Sequence, residues 1–129
     1  MTTKPAKKNK QSGSEGGGAE RRRGNRREVL ETFHVFLVIP KIGLRKLYLK
    51  DLSEFGVGFL PDEYDLFKEG SCYDAEIYIN PSLKLPLPIK IARVTKDLIG
   101  CEFTDTNSKA YAALVKFVVL LDELSTFVA

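Results

Sequence analysis

This sequence predicts an all-β domain, a small sandwich or barrel, closed by one C-terminal helix and preceded by a disordered arm. Three observations predict it. Short apolar–polar alternations recur between Val29 and Phe103, bounded by Pro, Gly or Asp. After Asp105 the apolar spacing changes from a period of two to that of a helix. Before Glu28 the only apolar side chains are Met1, Ala6 and Ala19, too little to offset the entropy of ordering.

In chain order, residues 1–20 are read as the arm. Lys4, Lys7, Lys8 and Lys10 make it basic, and Gly16-Gly17-Gly18 gives it a flexible hinge. Residues 21–129 form the domain, with an arginine loop at 21–27, strands over about 28–104 and a helix over about 106–125. Val29, Phe33, Val35, Leu37 and Ile39 share one face at period two and define the first strand, closed by Pro40 and Gly43. Leu47 and Leu49 alternate with Lys46, Tyr48 and Lys50 in the second. Residues 56–60 form the third, ended by Pro61, and an acidic loop occupies 62–70.

One fourth strand runs over residues 72–80, with Tyr73, Ala75, Ile77 and Ile79 on one face. The prolines of the next run, Leu83-Lys84-Leu85-Pro86-Leu87-Pro88, bar it from a central position. Ile89, Ile91 and Arg93 alternate in the fifth strand, and residues 98–103 supply the sixth. Asp105-Thr106-Asn107-Ser108 offers helix caps, after which Leu114, Phe117, Val118, Leu121 and Leu124 recur at helical spacing. Val119 and Leu120 widen this stripe. Packing over a barrel mouth accounts for most of it; a homodimer contact is the alternative, and a monomer is favoured.

Charge is unevenly divided. Residues 1–27 carry nine Lys/Arg against two Glu, a net of +7; residues 28–129 carry eleven against fifteen acidic groups, a net of −4. The acidic body argues against a nucleic-acid surface spread over the domain, so no DNA or RNA partner is expected. Phe36, Tyr48, Phe55 and Tyr78 form no evident stripe on which bases could stack. No apolar segment follows the basic start, and the run at 117–121 is too short to span a bilayer, which makes a cytoplasmic location the expectation.

Cys72 and Cys101 lack metal or redox spacing and are expected as buried free thiols. His34 is the single histidine, so no metal set assembles around it. Ser53 lies near Asp51 but in no Gly-x-Ser-x-Gly elbow, which leaves a hydrolytic triad without support. The domain is therefore read as non-enzymatic, with no cofactor.

Two motifs carry the chemistry. Five arginines crowd into Arg21-Arg22-Arg23-Gly24-Asn25-Arg26-Arg27, giving Arg-x-x-x-Arg as Arg22/Arg26 or as Arg23/Arg27. Further along, Asp51-Leu52-Ser53-Glu54-Phe55-Gly56 reads Asp-x-Ser-x-x-Gly. Guanidinium groups stay charged, grip phosphate or a guanine O6/N7 edge with two parallel hydrogen bonds, and stack on bases. A carboxylate takes the complementary part by accepting from base N–H groups. A solvated basic arm would explain the arginines alone, and a β-turn would explain Asp51, Ser53 and Gly56 alone. Together they point to a receptor for an anionic guanine nucleotide.

The order of basic arm, arginine pair, two strands, Asp-x-Ser-x-x-Gly, further strands and terminal helix resembles that of the PilZ domain family, bacterial receptors for cyclic di-GMP. The resemblance covers residues of about 20 to 125, with further matches at Gly56-Val57-Gly58-Phe59 and Ile99-Gly100-Cys101-Glu102-Phe103. It implies a six-stranded antiparallel barrel that binds its ligand on the outer surface. It also implies that the arginine pair contacts guanine edges and phosphates, with Arg21 adding a phosphate contact. Arg22/Arg26 is the preferred register and Arg23/Arg27 the other. Asp51 would accept from guanine N–H groups, Ser53 would hydrogen-bond the ligand, and Gly56 would allow a turn or close approach that a Cβ blocks. With glycines at 16–18 and 24, the arginine segment at 20–27 is expected to be loosely ordered and to fold over the ligand on binding. The two motifs and the single-domain length lead to the reading of an adaptor that changes conformation and signals to a downstream protein. A ligand-independent adaptor on the same fold is the rival.

Overall fold

The computed structural model of the protein describes residues 25–61 and 67–129. Arg21, Arg22 and Arg23, the arm at 1–20 and much of the acidic loop lie outside the described residues. Residues 25–32 are helical and are called α1. This corrects both the arginine loop at 25–27 and a first strand starting near Val29. Arg26, Val29, Leu30 and Phe33 stand at i, i+3, i+4 and i+7, one face of a helix. A period-two reading passes over Leu30, which is only 1% exposed. His34, at φ 52°, turns the chain out of α1.

Eight strands follow among the described residues, where six were expected. They are β1 (Phe36–Val38), β2 (Leu47–Leu52), β3 (Gly56–Phe59), β4 (Cys72–Tyr73), β5 (Glu76–Ile79), β6 (Leu83–Pro86), β7 (Ile89–Val94) and β8 (Ile99–Phe103). All pairings are antiparallel, in the order β4-β7-β8-β3-β2-β1-β5-β6. The two additional strands have clear causes. The segment expected as one strand over 72–80 breaks at Asp74-Ala75, so that β4 pairs with β7 while β5 pairs with β1. The Pro-containing run forms β6, which pairs with β5 alone; at a sheet edge the missing proline N–H costs no ladder bond. β4 and β5 stand far apart in the sheet order yet are separated by two residues of chain, so the sheet must curl into a barrel-like form.

The concave interior holds the core, with Leu37, Ile77, Ile89, Ile91 and Ile99 fully buried and Leu49 and Phe59 nearly so. The terminal helix α2 (Lys109–Ser125) starts where the Ser108 hydroxyl accepts from the Tyr111 amide at 3.1 Å. It seats Leu114 and Leu121 in the core and sets Phe117 edge-on to Phe33, just past the end of α1, ring centroids 6.0 Å apart. Val119 and Leu120 stay exposed on its far side.

Two further expectations change. Cys101 is buried as expected, but Cys72, at the edge strand β4, is exposed. An aromatic row does exist on the outer face: Phe36 lies between its cross-strand partners Tyr48 and Tyr78, with Tyr78 stacked at 4.9 Å and Tyr48 tilted at 5.6 Å. The row is hard to see in sequence because its members lie on three strands. It largely satisfies itself: Phe36 is 5% exposed, and Lys46 Nζ caps its ring at 5.2 Å.

Candidate functional site

Asp51 and Ser53 lie at the end of β2 and in the turn that leads into β3. A bulge between Leu49 and Asp51 breaks the alternation, so Lys50 and Asp51 both avoid the core while Leu49 and Leu52 enter it. Asp51 is thereby aimed at solvent on the outer face. Ser53 builds the turn itself. Its amide donates to the Gly56 carbonyl at 2.9 Å, and its hydroxyl oxygen accepts from the amides of Phe55 at 3.1 Å and Gly56 at 3.3 Å. With the oxygen so engaged, the hydroxyl proton is what Ser53 has to offer an incoming group.

Gly56 answers to strand packing. A Cβ there would lie 1.7 Å from the Cys101 carbonyl oxygen of β8, so only glycine permits this approach of β3. The turn is held from two other sides. Tyr111 of α2 donates from its hydroxyl to the Glu54 carbonyl at 2.6 Å, and the Phe103 amide donates to the Phe55 carbonyl at 2.9 Å.

The described arginines of the cluster reach this same place. Arg26 donates from Nη2 to the Leu52 carbonyl at 2.7 Å, and Arg27 donates from Nε to the Lys50 carbonyl at 3.3 Å. The two guanidiniums thus flank Asp51 along the β2 main chain, although 24 residues of sequence separate Arg27 from Asp51. Arg26 is also tied to the terminal helix, its Nε 3.0 Å from Asp122 Oδ1. That Nε is buried and makes no directed hydrogen bond, so the contact is a charge pair of imperfect geometry. Nearby, Asn25 Nδ2 donates to the Ser125 carbonyl at 2.9 Å.

Beside the turn an open groove of about 270 Å³ runs over the outer face of β3, β8 and β7. Asp51, Ser53, Phe55 and Gly56 line the side toward β2 and its turn, Arg93 the side toward β7, and Gly58, Leu98, Gly100 and Glu102, the last opposite Gly56, lie between. Phe55 is 75% exposed at the rim. Sequence reasoning missed Arg93 because strict alternation after Ile91 points it inward; a bulge between Ile91 and Arg93 turns it out. Glu69 of the acidic loop accepts from the Val94 amide at 3.2 Å, next to Arg93 in the chain. Among the described residues no cluster of His, Cys, Asp and Glu could hold a metal ion, and no helix is long and apolar enough to cross a membrane.

A match to the PilZ domain covers residues 20–120, and with it both motifs. The chain belongs to the PilZ domain family. No curated protein matches this PilZ domain. Solved structures do resemble it in fold. Escherichia coli YcgR in complex with c-di-GMP aligns with a TM-score of 0.55 at 17% identity, over 72% of this chain and 43% of YcgR. The Bacillus subtilis inhibitor of motility MotI/DgrA aligns with a TM-score of 0.55 at 12% identity, over 67% of this chain and 44% of that one. A Legionella protein, Lpg0364, aligns with a TM-score of 0.53 at 14% identity, over 72% of this chain and 90% of its own. This PilZ domain spans less than half of YcgR and of MotI/DgrA. The family is one of ligand-binding receptor and adaptor domains, and at these identities the likenesses concern the fold alone.

Proposed function

We propose that this PilZ domain is a cyclic di-GMP receptor without catalytic activity, working as an adaptor for a downstream protein. One observation carries the reading: Arg26 and Arg27 converge on the main chain on either side of Asp51, so the basic and acidic halves of a guanine-nucleotide site stand together. The arginine pair, Arg22/Arg26 or Arg23/Arg27, takes guanine acceptor edges and phosphates, helped by Arg21. Asp51 accepts from guanine N–H groups, Ser53 donates its hydroxyl proton, and Gly56 holds the turn in place.

Signalling follows from where Arg26 is held. A phosphate offers its guanidinium better-aligned acceptors than Asp122 does, and drawing Arg26 to the ligand releases its charge pair with α2. Occupancy of the groove is then felt at the terminal helix, whose exposed Val119 and Leu120 are a surface for the partner.

Calorimetric titration with cyclic di-GMP tests this reading. Saturable binding at or below tens of micromolar is expected, and no heat in that range rejects it. Replacing Arg26 or Arg27 by Ala separately reads the register, since the motif arginine costs more. The exposed apolar patch on α2 also suits a ligand-independent adaptor. That rival predicts full partner binding after the arginines are replaced, and no nucleotide binding.

A further inference from the structure

One row of residues crosses four strands in register. Asp51 on β2 pairs with Gly58 on β3, Gly58 pairs with Gly100 on β8, and Gly100 pairs with Arg93 on β7. Three strand spacings of about 4.8 Å place the ends of the row roughly 14 Å apart along the sheet. At one end stands a carboxylate and at the other a guanidinium, both exposed. Between them neither position has a side chain. A Cβ on Gly100 would meet nothing closer than Arg93 Cβ at 3.9 Å, and Leu98 leans over Gly58 with Cδ2 3.3 Å from where a Cβ would stand.

Both charged ends are set by bulges. Register shifts between Leu49 and Asp51 and between Ile91 and Arg93 each place a charge on the outer face, against the alternation of its strand. Arg93 has no hydrogen bond or ion pair among the described residues. The acidic groups near it are Glu69, which is occupied by the Val94 amide, and Glu102, which lies one row along opposite Lys90.

Building on the reading of the groove as a guanine-nucleotide site, we propose that Arg93 is a further specificity-determining residue of that site. Guanine has N1–H and N2–H donors on one edge and O6 and N7 acceptors on another. A guanine lying over Gly100 and against the apolar side of Leu98 turns its donor edge to Asp51 and its acceptor edge to Arg93. The long Arg93 stem shortens the gap across the row, and its planar fork matches the O6/N7 pair. The open space over Gly100 leaves room for the base beside Leu98, which stands over Gly58.

The experiment is titration of the full chain, and of its Arg93→Ala, Arg93→Lys and Asp51→Ala variants, with cyclic di-GMP. The same titrations use the analogue carrying 7-deazaguanine, which lacks the N7 acceptor. Arg93 is an exposed side chain, so the fold should survive, and circular dichroism checks that it does. Arg93→Ala should weaken cyclic di-GMP binding roughly ten- to a hundredfold, and Arg93→Lys should recover only a small part of that, since charge alone cannot supply two parallel bonds. The penalty for the 7-deaza analogue should shrink at least severalfold in Arg93→Ala relative to wild type. If wild type binds and Asp51→Ala does not, while Arg93→Ala binds both ligands as wild type does, the assignment of Arg93 is wrong and the receptor reading stands. If wild type itself fails to bind, both fall.

Discussion

Gly56 and Gly58 lie two positions apart on β3, yet a methyl group added to each meets different surroundings. At Gly56 it would run into the Cys101 carbonyl, part of the backbone of a paired strand, which cannot yield without opening the sheet. Gly56→Ala is expected to lower unfolding free energy by about 3 kcal/mol, read from urea denaturation. At Gly58 the nearest neighbours are the Leu98 side chain and Asp51 Cβ, at 3.3 and 3.4 Å, and Leu98 can move by a few tenths of an ångström. Gly58→Ala should cost under about 1 kcal/mol in the same experiment. It should still weaken cyclic di-GMP binding, because the methyl narrows the groove. A Gly58→Ala variant that is severely unstable, or a Gly56→Ala variant that is not, would contradict this division of labour. The same scale explains Ser53: its hydroxyl oxygen is committed to two turn amides, so a role toward a ligand is left to its proton.

The pairing of α1 with α2 belongs to the element scale. Helical spacing puts Val29, Leu30 and Phe33 on the core side of α1, and the same face carries Arg26 to β2 and to Asp122. Asp122 is about half exposed, so its charge pair with Arg26 adds little to stability. Asp122→Asn should leave the unfolding free energy, read from urea denaturation, within about 0.5 kcal/mol of wild type. On the proposed function, the same change removes a competitor for Arg26 and should tighten cyclic di-GMP binding severalfold in calorimetry. Unchanged or weaker binding would mean that Arg26 does not leave α2 when the ligand arrives. The two bulges belong to this scale as well. Each costs a strand its regular alternation and gives the outer face a charge it otherwise would not have.

The curl of the sheet around one core separates the two thiols of the molecule. Cys101 points into the barrel, where burial pushes its pKa from 9.0 up to about 12, whereas Cys72 sits exposed on an edge strand. Iodoacetamide at neutral pH should therefore modify one thiol per folded chain and both in denaturant, as counted by mass spectrometry. Burial of the neutral thiol also sets a sign. Between pH 9 and 12 an unfolded Cys101 loses its proton while the folded one keeps it, so stability contributed below pH 9 is lost as pH rises through this window. The urea midpoint should fall over that range, and less so in Cys101→Ala measured against its own value at pH 7. Rapid labelling of both thiols in the folded chain would show that the barrel opens easily around β8.

By itself the sequence determined the class of fold, the terminal helix and the two motifs. Each of these is written locally: alternation and helical spacing follow from burying one face of an element, and the motif residues lie within a few positions of each other. The break at Asp74-Ala75, the edge strand with its proline and the helix at 25–32 needed the tertiary structure. There a short apolar pattern fits more than one element, and the choice falls to whichever neighbour is available to pack or pair. The aromatic row and the line from Asp51 to Arg93 join residues from three and four strands. Strand order and register bring them together, and both are decided when the sheet curls onto one core, because a shift of a single residue would exchange core and outer faces.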